Sequence, residues 1–253
     1  MGSAWTEAPP HPPRTPLKKH RDPASSAPCR AAGLLLLAGM MASCAGRPPA
    51  LVPPRAGVEA VEGYGSASVQ GAETAIKGKF AFLFRRPDLG RVEAFDPLGR
   101  TVYYMIFKGD EAYFVVPSKK AYAEEKPETL MARLLGFSLR PDEAIPLLSG
   151  LWTADDEQRG GDPAAGWTLV KDPDGRVVRG RRHDLSFEVK EFFPGAGVPR
   201  TVLFSRPGTS GRVKVLSARF NPPPRPEAFE SSFLKTFTRK SWEDIQAMAG
   251  DGR

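Results

Sequence analysis

Histidine and cysteine are scarce in this chain. Its 253 residues include three His and two Cys, and beyond residue 43 only His183 and Cys44 remain. One imidazole and one thiol cannot build a zinc site of the common four-ligand type. A single thiol cannot form an intramolecular disulfide. The Gly63-Tyr64-Gly65 stretch lacks the following helix that a phosphate-cradling loop requires. No cofactor is expected. His183 adjoins Asp184, but neighbours on a strand point to opposite faces, which suits no catalytic triad; no catalytic residue is expected. Long apolar runs are missing too. The run from Ala31 to Ala42 covers 12 residues, whereas a membrane-spanning helix needs about 20. The net charge is +7, and the basic residues are spread rather than gathered on one element, so no nucleic-acid footprint is present. Arg179, Arg181 and Arg182 do cluster. The ordinary reading is a solvated hairpin end; the functional readings are phospholipid head groups or an acidic carrier.

What is there begins with a leader. Residues 1–30 are rich in Pro and carry Arg14, Lys18, Lys19, Arg21 and Arg30. The apolar run comes next, and then Ser43-Cys44. A basic region, a short apolar region and small residues before a cleavage point have the order of an export signal, here 1–43. Met41-Ala42-Ser43-Cys44 has the shape of a lipobox, with Met41 where Leu is commonest. Cys44 is the expected lipidation site and new N-terminus, and Cys29 leaves with the signal. One acyl chain holds a protein only marginally, at about 0.8 kcal/mol per buried methylene; the three chains of a lipoprotein make a firm anchor. Ala45, where enteric inner-membrane lipoproteins carry Asp, points to the outer membrane and its periplasmic face. Removing the signal takes away five basic and two acidic residues and leaves a net +4.

Residues 44–56 comprise the lipidated Cys and a Pro-rich tether, which is extended and semi-rigid. Residues 57–237 form one β domain and 238–253 a tail with a short helix. Alternation of apolar and polar residues predicts a strand over 76–84, with Ile76, Phe80, Phe82 and Phe84 on one face. Residues 102–107 and 112–116 form a hairpin around Lys108-Gly109-Asp110-Glu111. Further strands are predicted at 167–171, 184–192, 199–205 and 212–220, with Pro, Gly and Asp turns between them. Two short helices interrupt this pattern. One starts at Pro127 and ends at Gly136, with Leu130, Met131, Leu134 and Leu135 in a stripe. The other starts at Pro141 and ends near Gly150, with Ile145, Leu147 and Leu148. Leu130, Leu134, Leu147 and Leu148 are the lid candidates. The simplest closure is a mainly β, incomplete antiparallel barrel with a helical lid over its mouth. Its interior is either a solid core or an acyl-sized cavity. The cavity candidates are Phe80, Phe82, Val92, Tyr103, Met105, Tyr113, Val115, Phe187, Val189 and Leu203; a one-residue error in strand face inverts any set.

Four stretches carry a resemblance to a known family: Lys77-Gly78-Lys79-Phe80-Ala81-Phe82; Phe95-Asp96-Pro97-Leu98-Gly99-Arg100; Leu134-Leu135-Gly136-Phe137 with Ile145-Pro146-Leu147-Leu148-Ser149-Gly150-Leu151; and Ala218-Arg219-Phe220-Asn221. In this order, behind a lipobox, the chain resembles the LolB family of outer-membrane lipoprotein receptors and, more broadly, the LolA/LolB-like fold. The segment from Asn221 to Phe229 and the extension to Arg253 depart from a compact LolB. The resemblance implies an acyl-binding cavity, a LolA-like periplasmic carrier as partner, and insertion of lipoproteins into the outer membrane. It implies that Pro97, Leu98 and Gly99 form a membrane-insertion loop with Leu98 projecting. A turn tip normally prefers polar residues, so Leu98 is also unusual on the residues alone. The rival reading is a structural lipoprotein with a filled core, or a carrier of another lipid. A cavity too small for an acyl chain favours the scaffold.

Overall fold

In the computed structural model, the described residues are 51–54, 57–71, 75–157 and 166–250. The export signal, Cys44 and most of the tether lie outside them. Twelve strands form one open sheet in the order β12-β6-β5-β4-β3-β2-β1-β11-β10-β9-β8-β7. Strands β1 (Ala60–Gly71), β2 (Ala75–Arg85), β3 (Leu89–Phe95), β4 (Thr101–Lys108), β5 (Glu111–Val116) and β6 (Ala121–Glu125) form one antiparallel meander. Strands β7 (Thr168–Lys171), β8 (Val177–Arg182), β9 (Leu185–Phe192), β10 (Pro199–Arg206) and β11 (Thr209–Phe220) form a second. The two meanders join along β1 and β11.

The inner face is built from a repeated pairing. Gly63 lies opposite Phe82 and Gly65 opposite Phe80; Gly90 faces both Phe84 and Phe107; Gly180 faces Phe187 and Gly211 faces Phe204. Each aromatic ring has a glycine as its cross-strand neighbour, and these pairs are the units of sheet stabilisation. At Gly63 and Gly180 any larger residue forces its neighbours to shift. A Cβ on Gly63 would lie 2.2 Å from the Ser217 carbonyl and 2.6 Å from the Phe82 ring, and one on Gly180 2.2 Å from Phe187.

The long connection from β6 to β7 lies over this face. It contains α1 (Pro127–Leu135), a 3-10 turn (Pro141–Glu143), α2 (Ala144–Ser149) and α3 (Ala154–Glu157). Pro127 sits at the start of α1, where its missing N–H costs nothing, and Gly136 and Gly150 end α1 and α2 in the left-handed conformation. Leu130, Leu134, Ile145, Leu147 and Leu148 of this lid are buried.

The segment 238–253, expected as a tail, belongs to the folded unit over its described part. After β11 the chain crosses the outer face of β3 and β4. Arg91 donates to the Ala228 carbonyl at 3.0 Å, and Phe233 packs 5.8 Å from Tyr104. It then adds β12 (Thr238–Arg239) parallel to β6. Helix α4 (Trp242–Gly250) turns back to the inner side, with Trp242 edge-on to Phe114 at 5.3 Å and Ile245 fully buried. The Ser241 hydroxyl accepts from the Asp244 N–H and caps this helix. Its burial is not legible in the sequence because its large apolar residues, Trp242, Ile245 and Met248, are few and stand among charged and small residues.

Candidate functional site

Between the lid and the inner face is a cavity of about 160 Å³. Val69, Ile76, Phe80, Val92, Ala94, Tyr103 and Met105 line it from the sheet, Val213 and Phe204 from the second meander, and Met131, Leu134, Phe137, Leu147 and Leu148 from the lid. The wall is almost wholly hydrocarbon and aromatic. Burial raises the Tyr103 phenol above its usual pKa, so it stays neutral. A dry cavity of this size takes up a molecule like benzene. An acyl chain enters only if lid side chains give up their places.

The strand register assigns the sequence candidates to faces. Phe80, Val92, Tyr103 and Met105 line the cavity. Phe82, Phe187 and Val189 share the inner face and belong to its packed core. Leu134, Leu147 and Leu148 line the cavity, while Leu130 is buried in the adjoining core. Tyr113, Val115 and Leu203 face the other way. Tyr113 pairs with Ile106 and Val115 with Tyr104 on the outer side, and Leu203 pairs with Arg212 and Glu188 there. Strand β5 is apolar on both faces, and β10 carries the unbroken apolar run Val202-Leu203-Phe204, so alternation alone does not assign these residues to a face. Residues of the cavity not foreseen include Ala94, Phe137 and Val213; Ala94 and Val213 continue the inner alternation of their strands, which was the available signal.

Charged groups fasten the lid at its rim. Glu143, 4% exposed, accepts from Arg182 of β8, from the Arg140 N–H at 2.8 Å and from the Trp167 indole at 3.4 Å. Arg182 also donates to the Ser138 carbonyl at 3.2 Å and lies over the Trp167 ring. Arg206 of β10 donates to the Gly136 carbonyl at 2.7 Å. At the other end Arg86, in the β2–β3 turn, donates to both carboxylate oxygens of Asp156 at 2.9 Å. Apolar groups thus fill the middle of the lid contact and ion pairs close its edges. His183 sits at the β8–β9 turn with φ of 52°, and Asp184 beside it pairs with Arg206 at 3.1 Å.

Leu98 projects from the β3–β4 turn and is 79% exposed. The turn is held by Asp96. Its Oδ1 accepts the N–H groups of Leu98 and Arg100 at 2.8 and 2.9 Å, and its Oδ2 accepts Arg100 Nε at 2.7 Å. These bonds, the Arg100 backbone N–H first, hold the Asp96 carboxyl below the usual carboxylate range. The β7–β8 turn, Asp172-Pro173-Asp174-Gly175-Arg176, repeats every element of this geometry. Asp172 Oδ1 accepts from the N–H groups of Asp174 and Arg176 at 3.0 and 2.9 Å, and Oδ2 accepts Arg176 Nε at 2.8 Å. Gly99 and Gly175 have φ of 81° and 79°. Leu98 therefore occupies a position that Asp174 fills in the twin turn, and the turn itself does not require a leucine.

No family model and no curated protein matches this chain. Solved structures are similar to it at low identity. A LolA superfamily protein from Nitrosomonas europaea has 11% identity and a TM-score of 0.48, covering 71% of this chain and 93% of its own. A DUF1329 family protein from Desulfovibrio piger has 11% identity and a TM-score of 0.47, covering 70% and 92%. A putative outer membrane lipoprotein-sorting protein domain from Vibrio parahaemolyticus has 9% identity and a TM-score of 0.41, covering 71% and 92%.

Proposed function

We propose that this chain is an envelope lipoprotein, lipidated at Cys44, that accepts the acyl chains of lipoproteins under its lid and delivers them to the outer membrane. The observation that carries this reading is the apolar cavity closed by an inserted helical lid whose edges, not its centre, hold the ion pairs. Opening such a lid exposes hydrocarbon, and an incoming acyl chain covers it again. A buried methylene contributes about 0.8 kcal/mol, so one acyl chain offsets several displaced leucines at about 1.5–3 kcal/mol each. No nucleotide and no covalent step is needed. A periplasmic LolA-like protein is the proposed donor, and Leu98 the group that enters the bilayer at release.

The cavity volume favours a second reading. About 160 Å³ is too little for an acyl chain with the lid closed, as a scaffold with a filled core requires. Residues 50–253 form one compact unit, and this body separates the two readings. It is mixed with a triacylated lipopeptide delivered from a carrier, beside the cavity-filling variant Ala94→Leu. The carrier reading expects uptake by the native body and at least several-fold weaker uptake by the variant at unchanged melting temperature. No uptake by the native body sinks that reading and leaves the scaffold.

A further inference from the structure

The two outer faces of the sheet differ. That of β3 and β4 is crossed by the segment after β11, which also reaches Glu62 of β1 through Arg225; among the described residues, no segment crosses that of β7 to β10 with the Ser66–Gln70 part of β1 and the Thr209–Lys214 part of β11. Side chains there line up in rows across the strands. One row runs Gln70, Ser210, Ser205, Ser186, Arg181, Thr168. The next runs Lys77, Ser68, Arg212, Leu203, Glu188, Arg179, Val170. A third runs Lys79, Ser66, Lys214, Thr201, Glu191. The first two rows line a groove of about 830 Å³, within the size range of ligand sites.

Charge in these rows is one-sided. Lys77, Lys79, Arg179, Arg181, Arg212 and Lys214 share these rows with two carboxylates, Glu188, which Lys190 already holds at 2.7 Å, and Glu191, which accepts from the Thr201 hydroxyl at 2.9 Å. Among the described residues, Lys77, Lys79, Arg212 and Lys214 have no ion-pair partner. Serine hydroxyls between the cations supply neutral donors at strand spacing, about 4.8 Å. Guanidinium, ammonium and hydroxyl donors in alternation match a phosphate oxyanion.

The position of this face selects the source of the phosphate. Lys79 of the third row pairs with Phe95, and the next residues form the turn that carries Leu98. The basic groove and the exposed leucine therefore open at the same end of the sheet. An apolar finger beside a cationic surface is the combination that holds peripheral proteins on anionic bilayers. We propose that the outer face spanned by these rows is a head-group site, in which Arg179, Arg181 and Arg212 receive the phosphates of an anionic bilayer. The proposal rests on the reading that this end of the molecule meets a membrane. The groove orients the body there and raises the local probability that Leu98 inserts.

The test measures binding of the 50–253 body to vesicles of phosphatidylglycerol and of phosphatidylcholine. The groove variant is Arg179→Gln, Arg181→Gln, Arg212→Gln. A control with the same change in net charge is Lys108→Gln, Lys126→Gln, Lys235→Gln, all exposed and outside the groove. A cation at an anionic surface is worth about 5-fold in affinity, so the groove variant loses on the order of 100-fold on phosphatidylglycerol. Its binding to phosphatidylcholine is unchanged, the control loses only a few-fold, and the native preference shrinks as salt rises. Equal losses in groove and control variants overturn the proposal, as does a native body with no preference for phosphatidylglycerol. Groove-dependent binding of poly-glutamate without vesicle binding also overturns it, in favour of an acidic protein partner. Lipopeptide uptake is measured on the same samples. Loss of uptake by the native body with groove-dependent vesicle binding intact refutes the carrier reading alone.

Discussion

The twin turns allow Leu98 to be tested without disturbing the fold. In Leu98→Asp the new side chain has a precedent at Asp174, in a turn with the same five hydrogen bonds, the same Pro and a Gly at the same φ. Asp174 also lies 2.9 Å from Arg176, and Arg100 is placed to make the equivalent contact with the substituted residue. Leu98 is exposed, so its loss removes almost no burial from the folded protein. The melting free energy should change by no more than about 0.5 kcal/mol, as at ordinary surface positions. The functional cost is different. A leucine side chain moved from water to hydrocarbon is worth about 1.5–3 kcal/mol, which corresponds to roughly 10- to 150-fold in bilayer partitioning. The assay pairs thermal melting with two readings: partitioning of the body onto neutral vesicles, and release of bound lipopeptide into them. The expected result is an unchanged melt, unchanged uptake, and a fall of at least ten-fold in partitioning. A drop in melting temperature of several degrees would show that Leu98 packs on the body. Unchanged partitioning would refute the membrane role.

Gly63→Ala places a methyl against the Ser217 carbonyl and the Phe82 ring and should destabilise by about 1–3 kcal/mol, read as a lower urea midpoint. Trp242→Ala removes a buried ring from the inner core and should cost about 3–5 kcal/mol; a melt within two degrees of native would show that α4 is dispensable. Arg182→Gln leaves the Glu143 carboxylate buried without its cation and should cost about 3–5 kcal/mol, mostly as lid opening, seen as faster hydrogen exchange in α1 and α2 and faster lipopeptide uptake. Acid should act on both Asp-Pro turns. The Asp96 and Asp172 carboxyls are held low by Arg100 and Arg176, so their contribution to the folded turns is complete above the unfolded carboxyl value and is lost as pH falls through the lowered one. Carboxyl titration by NMR should give midpoints below 3.8 for both, with the amide signals of Leu98 and Arg100 moving in the same acid range.

Strands with a clean apolar–polar alternation were legible. β2 and β9 are examples, with Phe80, Phe82 and Phe84 in one and Leu185, Phe187 and Val189 in the other. So were α1 and the segment ending at Gly150, because Pro and Gly mark their ends. β1 was not, since its inner face carries Gly63, Gly65 and Ala67, and the hydrocarbon above them belongs to β2. β6 was hidden for the same reason: its inner residues are Ala121 and Ala123, small because the lid and α4 pack closely. β8 reads as charge, Arg179 and Arg181 outside and Arg182 inside, and only the register shows that two of them face the groove and one the lid. Tyr113, Val115 and Leu203 lie on the outer side, which alternation does not reveal because β5 is apolar on both faces and Leu203 stands in the apolar run Val202-Leu203-Phe204. The outer apolar residues of β5 have their own cover, and it comes from a segment more than a hundred residues away.

The seam between β1 and β11 also has a consequence in time. Val61 pairs with Phe220 and Gly71 with Thr209, so nearly the whole folded chain lies between the two partners. Each meander can form from hairpins between neighbours, which close quickly. The seam must wait until β11 exists, and loop closure over that length adds its own entropic cost. A chain that emerges from its N-terminus therefore carries β1 as an unpaired edge for most of its synthesis or translocation. An unpaired edge is a site for wrong partners. β1 meets that wait with Gly, Ala and Ser at most of its positions, and so offers a stray strand little hydrocarbon to bind until its proper neighbour arrives.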